Sequence, residues 1–151
     1  MKAFLLGAGL LLALPAAADV LVDGQVRQPH SWTLAELKAL APVSAEVAYL
    51  TGHGEEHVRF TGVPLWILLG EAKLADDTGK MPAIRHSVMV TGRDGYSALV
   101  SLGEFDPEFE GKEVLLAWQR DGKDLDTPQL VVPGDKRGGR YVRDVIKIEV
   151  R

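Results

Sequence analysis

Apolar residues fall mostly in short runs with a two-residue period, and only two stretches carry helical spacing. Val20-Leu21-Val22, closed by Asp23-Gly24, predicts a first strand. Ser31-Trp32-Thr33-Leu34-Ala35-Glu36-Leu37 predicts a helix start. Thr33 is placed to cap it, Glu36 reaches back to the Thr33 amide, and Trp32 with Leu37 forms a hydrophobic staple. That helix runs to about Leu40 and stops near Pro42. Residues 43–50 and 57–61 predict strands around a polar loop at 52–56, and Pro64 opens a second helix with Leu65, Leu68 and Leu69 on one face.

Residues 76–86 form a connector rich in turn formers. Val88-Met89-Val90 and Ser97-Ala98-Leu99-Val100 predict a hairpin across Arg93-Asp94-Gly95. Residues 113–119 and 129–132 are strands on either side of a turn at Asp121-Gly122, and alternation over 145–150 predicts a last strand with one solvated face. Strands outnumber helices and do not alternate with them regularly, so the pattern predicts an α+β domain with a mixed or antiparallel sheet.

A chain of 151 residues is long enough for one domain with a real core. The net charge of −4 argues against a nucleic-acid partner. The absence of cysteine excludes disulfide scaffolds, thiolate zinc sites, iron–sulfur clusters and thiol nucleophiles. Lys2, an apolar run over 3–14 and then Pro15-Ala16-Ala17-Ala18 have the layout of a signal peptide, and the run is too short to span a bilayer. The sequence therefore predicts export to a bacterial periplasm, cleavage after Ala18, no membrane insertion of the mature chain, and a single domain over 19–151.

Several catalytic patterns fail on context. His53-Gly54-Glu55-Glu56-His57 matches H-x-x-E-H, but that motif needs a helix, and Gly52 and Gly54 interrupt one. Glu104, Asp106, Glu108 and Glu110 alternate with Phe105, Pro107 and Phe109 after a Ser101/Glu104 capping box. A solvated acidic loop with two buried phenylalanines accounts for them. No serine sits in a G-x-S-x-G elbow. The basic cluster carries more information: Lys136, Arg137, Arg140 and Arg143 lie within eight residues, among Gly134, Gly138 and Gly139. Glycines permit close backbone approach to a ligand, and arginines supply flat bidentate donors that also stack on rings.

Four segments together resemble the molybdopterin-binding domain of the sulfite oxidase family. They are Phe60-Thr61-Gly62-Val63-Pro64-Leu65 with Leu68-Leu69, and Val90-Thr91-Gly92-Arg93-Asp94-Gly95-Tyr96-Ser97. The others are Leu115-Leu116-Ala117-Trp118 with the Asp121-Gly122 turn, and Leu130-Val131-Val132-Pro133-Gly134 through Arg143 to Ile148-Glu149-Val150. The resemblance implies that family's fold, a mixed β-sheet core with a few short helices. It also implies that the cysteine that binds molybdenum in the family is replaced here by Leu50, which has no donor atom. The expected guest is then a pterin, held as a ligand without the molybdenum cofactor.

The family's cofactor loops correspond to residues 51–54, 93–97 and 135–143. They offer Thr51, His53 and Gly54, with Asp94 or Asp135 as carboxylate for the amino-pyrimidinone edge. Tyr96 or Tyr141 would stack or supply a hydroxyl, and Arg93, Arg137, Arg140 or Arg143 would donate. Trp118 and Trp66 are read as core. The short, exported, cysteine-free form is also similar to small periplasmic pterin-binding (PruR-like) proteins. That similarity implies a ligand sensor whose partner is the periplasmic domain of an inner-membrane GGDEF/EAL-type enzyme. A sulfite oxidase-type oxidoreductase lacking the cysteine, and a scaffolding subunit with a vestigial pocket, are the competing expectations.

Overall fold

Two β-sheets organise residues 19–151, the part of the chain that the computed structural model describes. The predicted signal peptide lies outside the described residues. The five-stranded sheet contains β1 (Val20–Gly24), β2 (His30–Trp32), β5 (Ser87–Gly92), β6 (Ser97–Ser101) and β9 (Val145–Val150), in the order β2-β1-β9-β5-β6. β9 runs parallel to β1 and antiparallel to β5, which makes this sheet mixed. The four-stranded sheet is antiparallel, in the order β3 (Val43–Thr51), β4 (Gly54–Pro64), β7 (Leu115–Arg120), β8 (Lys123–Val131).

Three short helices complete the domain: α1 (Leu34–Ala39), α2 (Leu65–Ala72) and α3 (Leu102–Phe105). Both predicted capping boxes form. The Thr33 amide donates to Glu36 Oε2 at 2.7 Å and the Glu36 amide to Thr33 Oγ1 at 3.1 Å; Ser101 and Glu104 do the same for α3. Leu65, Leu68 and Leu69 are buried, as the spacing of α2 predicts. Among the described residues no helix is long and apolar enough to cross a membrane.

Apolar side chains of β1, β5 and β9 meet α1, α2 and the inner face of the four-stranded sheet in the main core, which includes Leu116, Trp118 and Leu130. A second cluster lies on the outer face of that sheet, where Val47, Tyr49, Val58, Phe60, Leu115 and Val131 are covered by Tyr141. Leu115 through Trp118 are therefore buried on both faces, which explains their unbroken apolar run. Gly62 lies at the bulge between β4 and β7, where a Cβ would meet the Leu116 carbonyl oxygen at 2.3 Å, so only glycine lets the strands approach.

Three expectations need correction. The polar loop at 52–56 is a two-residue turn, because Gly54, Glu55 and Glu56 already pair with Thr51, Leu50 and Tyr49 in the β3–β4 ladder. β2 and the first half of β8 gave no pattern, one being three residues long and the other interrupted by Leu125-Asp126-Thr127-Pro128. The acidic segment after α3 is a solvated turn over 107–110, but it departs from the expectation at Phe109 and Asp106. Phe105 is buried but Phe109 is 37% exposed, and Asp106 is buried, accepting the Glu108 amide at 2.8 Å.

A glycine-rich loop clamped over the outer sheet face

The segment after β8 turns back across the outer face of the four-stranded sheet, and its attachments are specific. Gly134 turns the chain at φ +90°. The Leu50 amide then donates to the Lys136 carbonyl at 2.9 Å, which docks the loop on the end of β3. A 3-10 turn, Gly138–Arg140, follows. Gly138 lies so close to the Tyr49 ring that a Cβ there would stand 3.0 Å from it. Tyr141 stacks on the same tyrosine, with ring centroids 4.2 Å apart and planes at 21°, and its hydroxyl donates to the Val132 carbonyl at 3.2 Å. Burial pushes both phenols up, and each gains from the neighbouring negative groups.

From the five-stranded sheet, Tyr96 in the β5–β6 turn donates its hydroxyl to the Gly139 carbonyl at 2.5 Å. Arg140 ties the loop to α3. Its Nε and Nη2 bind the two Asp135 oxygens at 2.8 and 2.7 Å, and its Nη1 lies 3.1 Å from each Glu104 oxygen. Burial alone would raise the Glu104 carboxyl. The Arg140 guanidinium, the Ser101 amide and Lys112 outweigh it and hold the carboxyl below the usual glutamate value. The Asp135 and Glu104 carboxylates hold the guanidinium protonated even more firmly than an ordinary arginine.

Under this loop lies a cleft of about 460 Å³, floored by Tyr49, Gln129 and Tyr141 and rimmed by Leu50, Arg137 and Arg143. That volume lies in the range of small-molecule sites. Gln129 and Arg143 also line a second lobe of about 340 Å³, bounded by Arg120, Leu125, Thr127 and Asp144. This lobe exists because β8 loops out: Ala117 pairs with Gln129 and Gln119 with Asp124, so one residue of β7 faces four of β8. Pro128, without an amide hydrogen, sits in that excursion.

The predicted site residues divide by place. Thr51, Arg137, Tyr141 and Arg143 line the cleft. Arg137 and Arg143 make no ion pair among the described residues and line the cleft, Arg143 beside Asp126 and Asp144 in the adjoining lobe. His53 and Gly54 sit at the adjoining hairpin, where Thr51 Oγ1 receives the His53 amide and donates to the Gly54 carbonyl, both at 3.1 Å. Arg93 is exposed and its amide donates to the Asp144 carbonyl at 2.9 Å. Asp94 accepts the Tyr96 amide at 2.9 Å, so it caps its own turn. Asp135 and Arg140 hold each other, and the Tyr96 hydroxyl holds the loop. Sequence reasoning missed Tyr49, Gln129 and Glu104. A polar Gln129 opening an otherwise apolar run was the available sign.

Leu50 is 42% exposed at the cleft rim and offers no donor atom. Among the described residues there is no group of three or more histidine, aspartate or glutamate side chains arranged to hold a metal ion.

Two packed sheets, one mixed and one antiparallel, with a clamped cationic loop and a cleft over one face, define an α+β domain. The family model described as "Oxidoreductase molybdopterin binding domain" matches residues 13–151, and the chain belongs to that family. Its fold is the sulfite-oxidase type that the sequence predicts. It is similar in structure to the sulfane dehydrogenase SoxCD from Paracoccus pantotrophus, with a TM-score of 0.72, 17% identity and 92% of this chain covered. The match covers 39% of the SoxCD chain, so this chain spans well under half of that protein. No curated relative matches the sequence.

Proposed function

We propose that this protein is a non-catalytic periplasmic receptor for a pterin, and that the loaded form regulates a membrane-bound cyclic-di-GMP signalling enzyme through its periplasmic domain. The carrying observation is Leu50. It stands at the position that the family resemblance assigns to the metal-binding cysteine, at the rim of the cleft, and its side chain is aliphatic. Thiolate ligation of a soft metal has no aliphatic substitute. The remaining lining suits the organic part of a molybdopterin: an amide, two guanidinium groups that make no ion pair among the described residues, and glycine backbone. It does not suit the metal.

When bound, such a pterin would supply a flat heteroaromatic ring and a polar side chain. The residues here would orient it: Arg137 and Arg143 would donate to ring or side-chain oxygens, and the clamped loop would shield one face from water. The loop's attachments support a signalling role, because a ligand under it would touch a segment tied to both sheets and to α3.

The test is purification from a periplasmic fraction, followed by fluorescence spectroscopy for a bound pterin and elemental analysis for molybdenum. The expected result is a pterin at near-equimolar amount and no molybdenum. Stoichiometric molybdenum would overturn the reading in favour of an oxidoreductase that lacks the cysteine ligand. Failure to bind any oxidised or reduced pterin would overturn it in favour of a scaffolding subunit.

A further inference from the structure

Gln129 is 6% exposed, and its carboxamide has no hydrogen-bond partner among the described residues. Buried polar side chains are nearly always paired within the protein, so one left free beside a cleft is available to a ligand. Its backbone is fixed opposite Ala117 in the β7–β8 ladder, and its side chain lines both lobes of the cleft. None of its atoms is a sealed orphan like His86 Nε2, so the amide faces the cleft.

The two carboxylates expected to read the pterin's amino-pyrimidinone edge are already committed. Asp94 holds its own turn and Asp135 holds Arg140. Of the other acids at the cleft, Asp144 accepts the Thr127 hydroxyl, and Asp126 is exposed in the second lobe. The polar group at the cleft floor is therefore a neutral amide. A carboxamide offers one acceptor oxygen and two donor hydrogens side by side. That arrangement complements a cyclic amide, whose N–H and C=O lie side by side in the opposite sense, in the same way that glutamine reads an adenine edge with two parallel hydrogen bonds.

We infer that Gln129 is the specificity-determining residue of the cleft, pairing its carboxamide with the lactam edge (N3–H and C4=O) of the bound ring. This rests on the pterin reading and adds to it the edge of the ring that is recognised. Oε1 accepts from N3–H and Nε2 donates to O4. Ring stacking and the arginines do not distinguish one edge from another, whereas a buried amide left unmatched rejects the wrong edge strongly.

Two probes and two proteins test it: pterin (2-amino-4-oxopteridine) and 3-methylpterin, which lacks N3–H, against wild type and Gln129→Met. Fluorescence titration should show wild type preferring pterin by at least about tenfold, the range given by losing one hydrogen bond to a buried group. Gln129→Met should bind pterin at least about tenfold more weakly and lose the preference. The melting temperature of the ligand-free variant should stay level or rise, because no internal hydrogen bond is removed. Gln129→Leu should give the same pattern and serves as the second variant if the methionine disturbs packing. An unchanged affinity for pterin, or an undiminished preference in the variants, would overturn the role of Gln129 while leaving pterin binding intact. Failure of wild type to bind either probe would overturn this inference, and failure to bind any oxidised or reduced pterin would overturn the pterin reading itself.

Discussion

Arg140 and Glu104 meet as a fork on a fork: one guanidinium nitrogen lies 3.1 Å from both carboxylate oxygens, while the opposite edge of the same guanidinium grips Asp135. The pair joins the 3-10 turn of the glycine-rich loop to the first turn of α3, and Glu104 also caps that helix through the Ser101 amide at 3.1 Å. One carboxylate thus serves as helix cap and loop anchor. Arginine suits this position because its flat fork satisfies both acids, which a lysine would not.

Arg140→Ala should therefore destabilise more than an ordinary surface change, since it strips Asp135 of its ion-pair partner and leaves Glu104 only Lys112 and the Ser101 amide. The expected cost is about 2 kcal/mol, below the 3–5 kcal/mol typical of fully buried pairs. Thermal unfolding should show a melting temperature lower by about 6–10 °C for a domain of this size. A shift within about 2 °C would reduce the clamp to an ordinary surface pair.

Glu104 also sets an acid limit. Its folded-state pKa lies below its unfolded value, so its stabilisation is fully present above the unfolded value, near 4.3, and is lost as pH falls through the folded one. Urea midpoints of wild type and Glu104→Gln should differ most at pH 6–7 and converge as the pH drops below about 4. A constant difference across that range would mean that the Glu104 charge is not what the loop depends on.

Tyr96→Phe removes the hydroxyl that holds Gly139 and nothing else, as the ring is 53% exposed. Global stability should fall by no more than about 1 kcal/mol. Hydrogen exchange at the amides of residues 137–141 should nevertheless quicken several-fold, because a local opening has lost its latch. Unchanged protection would show that the Arg140, Leu50 and Tyr141 attachments hold the loop without Tyr96.

Gly138→Val should act on binding more than on folding. A side chain there would press on the Tyr49 ring, the floor of the cleft, and would displace the ring or lift the loop. Pterin affinity should fall at least about tenfold, with a stability loss of about 1–3 kcal/mol typical of overpacking. Isothermal titration beside a urea melt separates the two effects.

The legible parts of the fold were those whose information is local. Both capping boxes, the Asp121-Gly122 turn and the alternation of β9 specify their own conformations from a few adjacent residues. The β8 excursion did not announce itself, because it is fixed by pairing with β7 and not by its own composition. Of the candidate site, the sequence names four residues that line the cleft, Thr51, Arg137, Tyr141 and Arg143, but not which side chains the loop's own contacts occupy. Asp94, Asp135, Arg140 and Tyr96 have the right chemistry for a pterin, yet each is occupied in holding the loop. Which polar side chain stays free depends on partners distant in sequence, such as Glu104, 36 positions from Arg140.

The position of β9 has a consequence for how the molecule comes to be. The last strand sits between β1, near the beginning, and β5 in the middle, so until it arrives the five-stranded sheet is two separate fragments with bare edges. Such non-local pairing is slow and exposes strand edges while it waits. The five-stranded sheet therefore cannot close before synthesis has passed Val150.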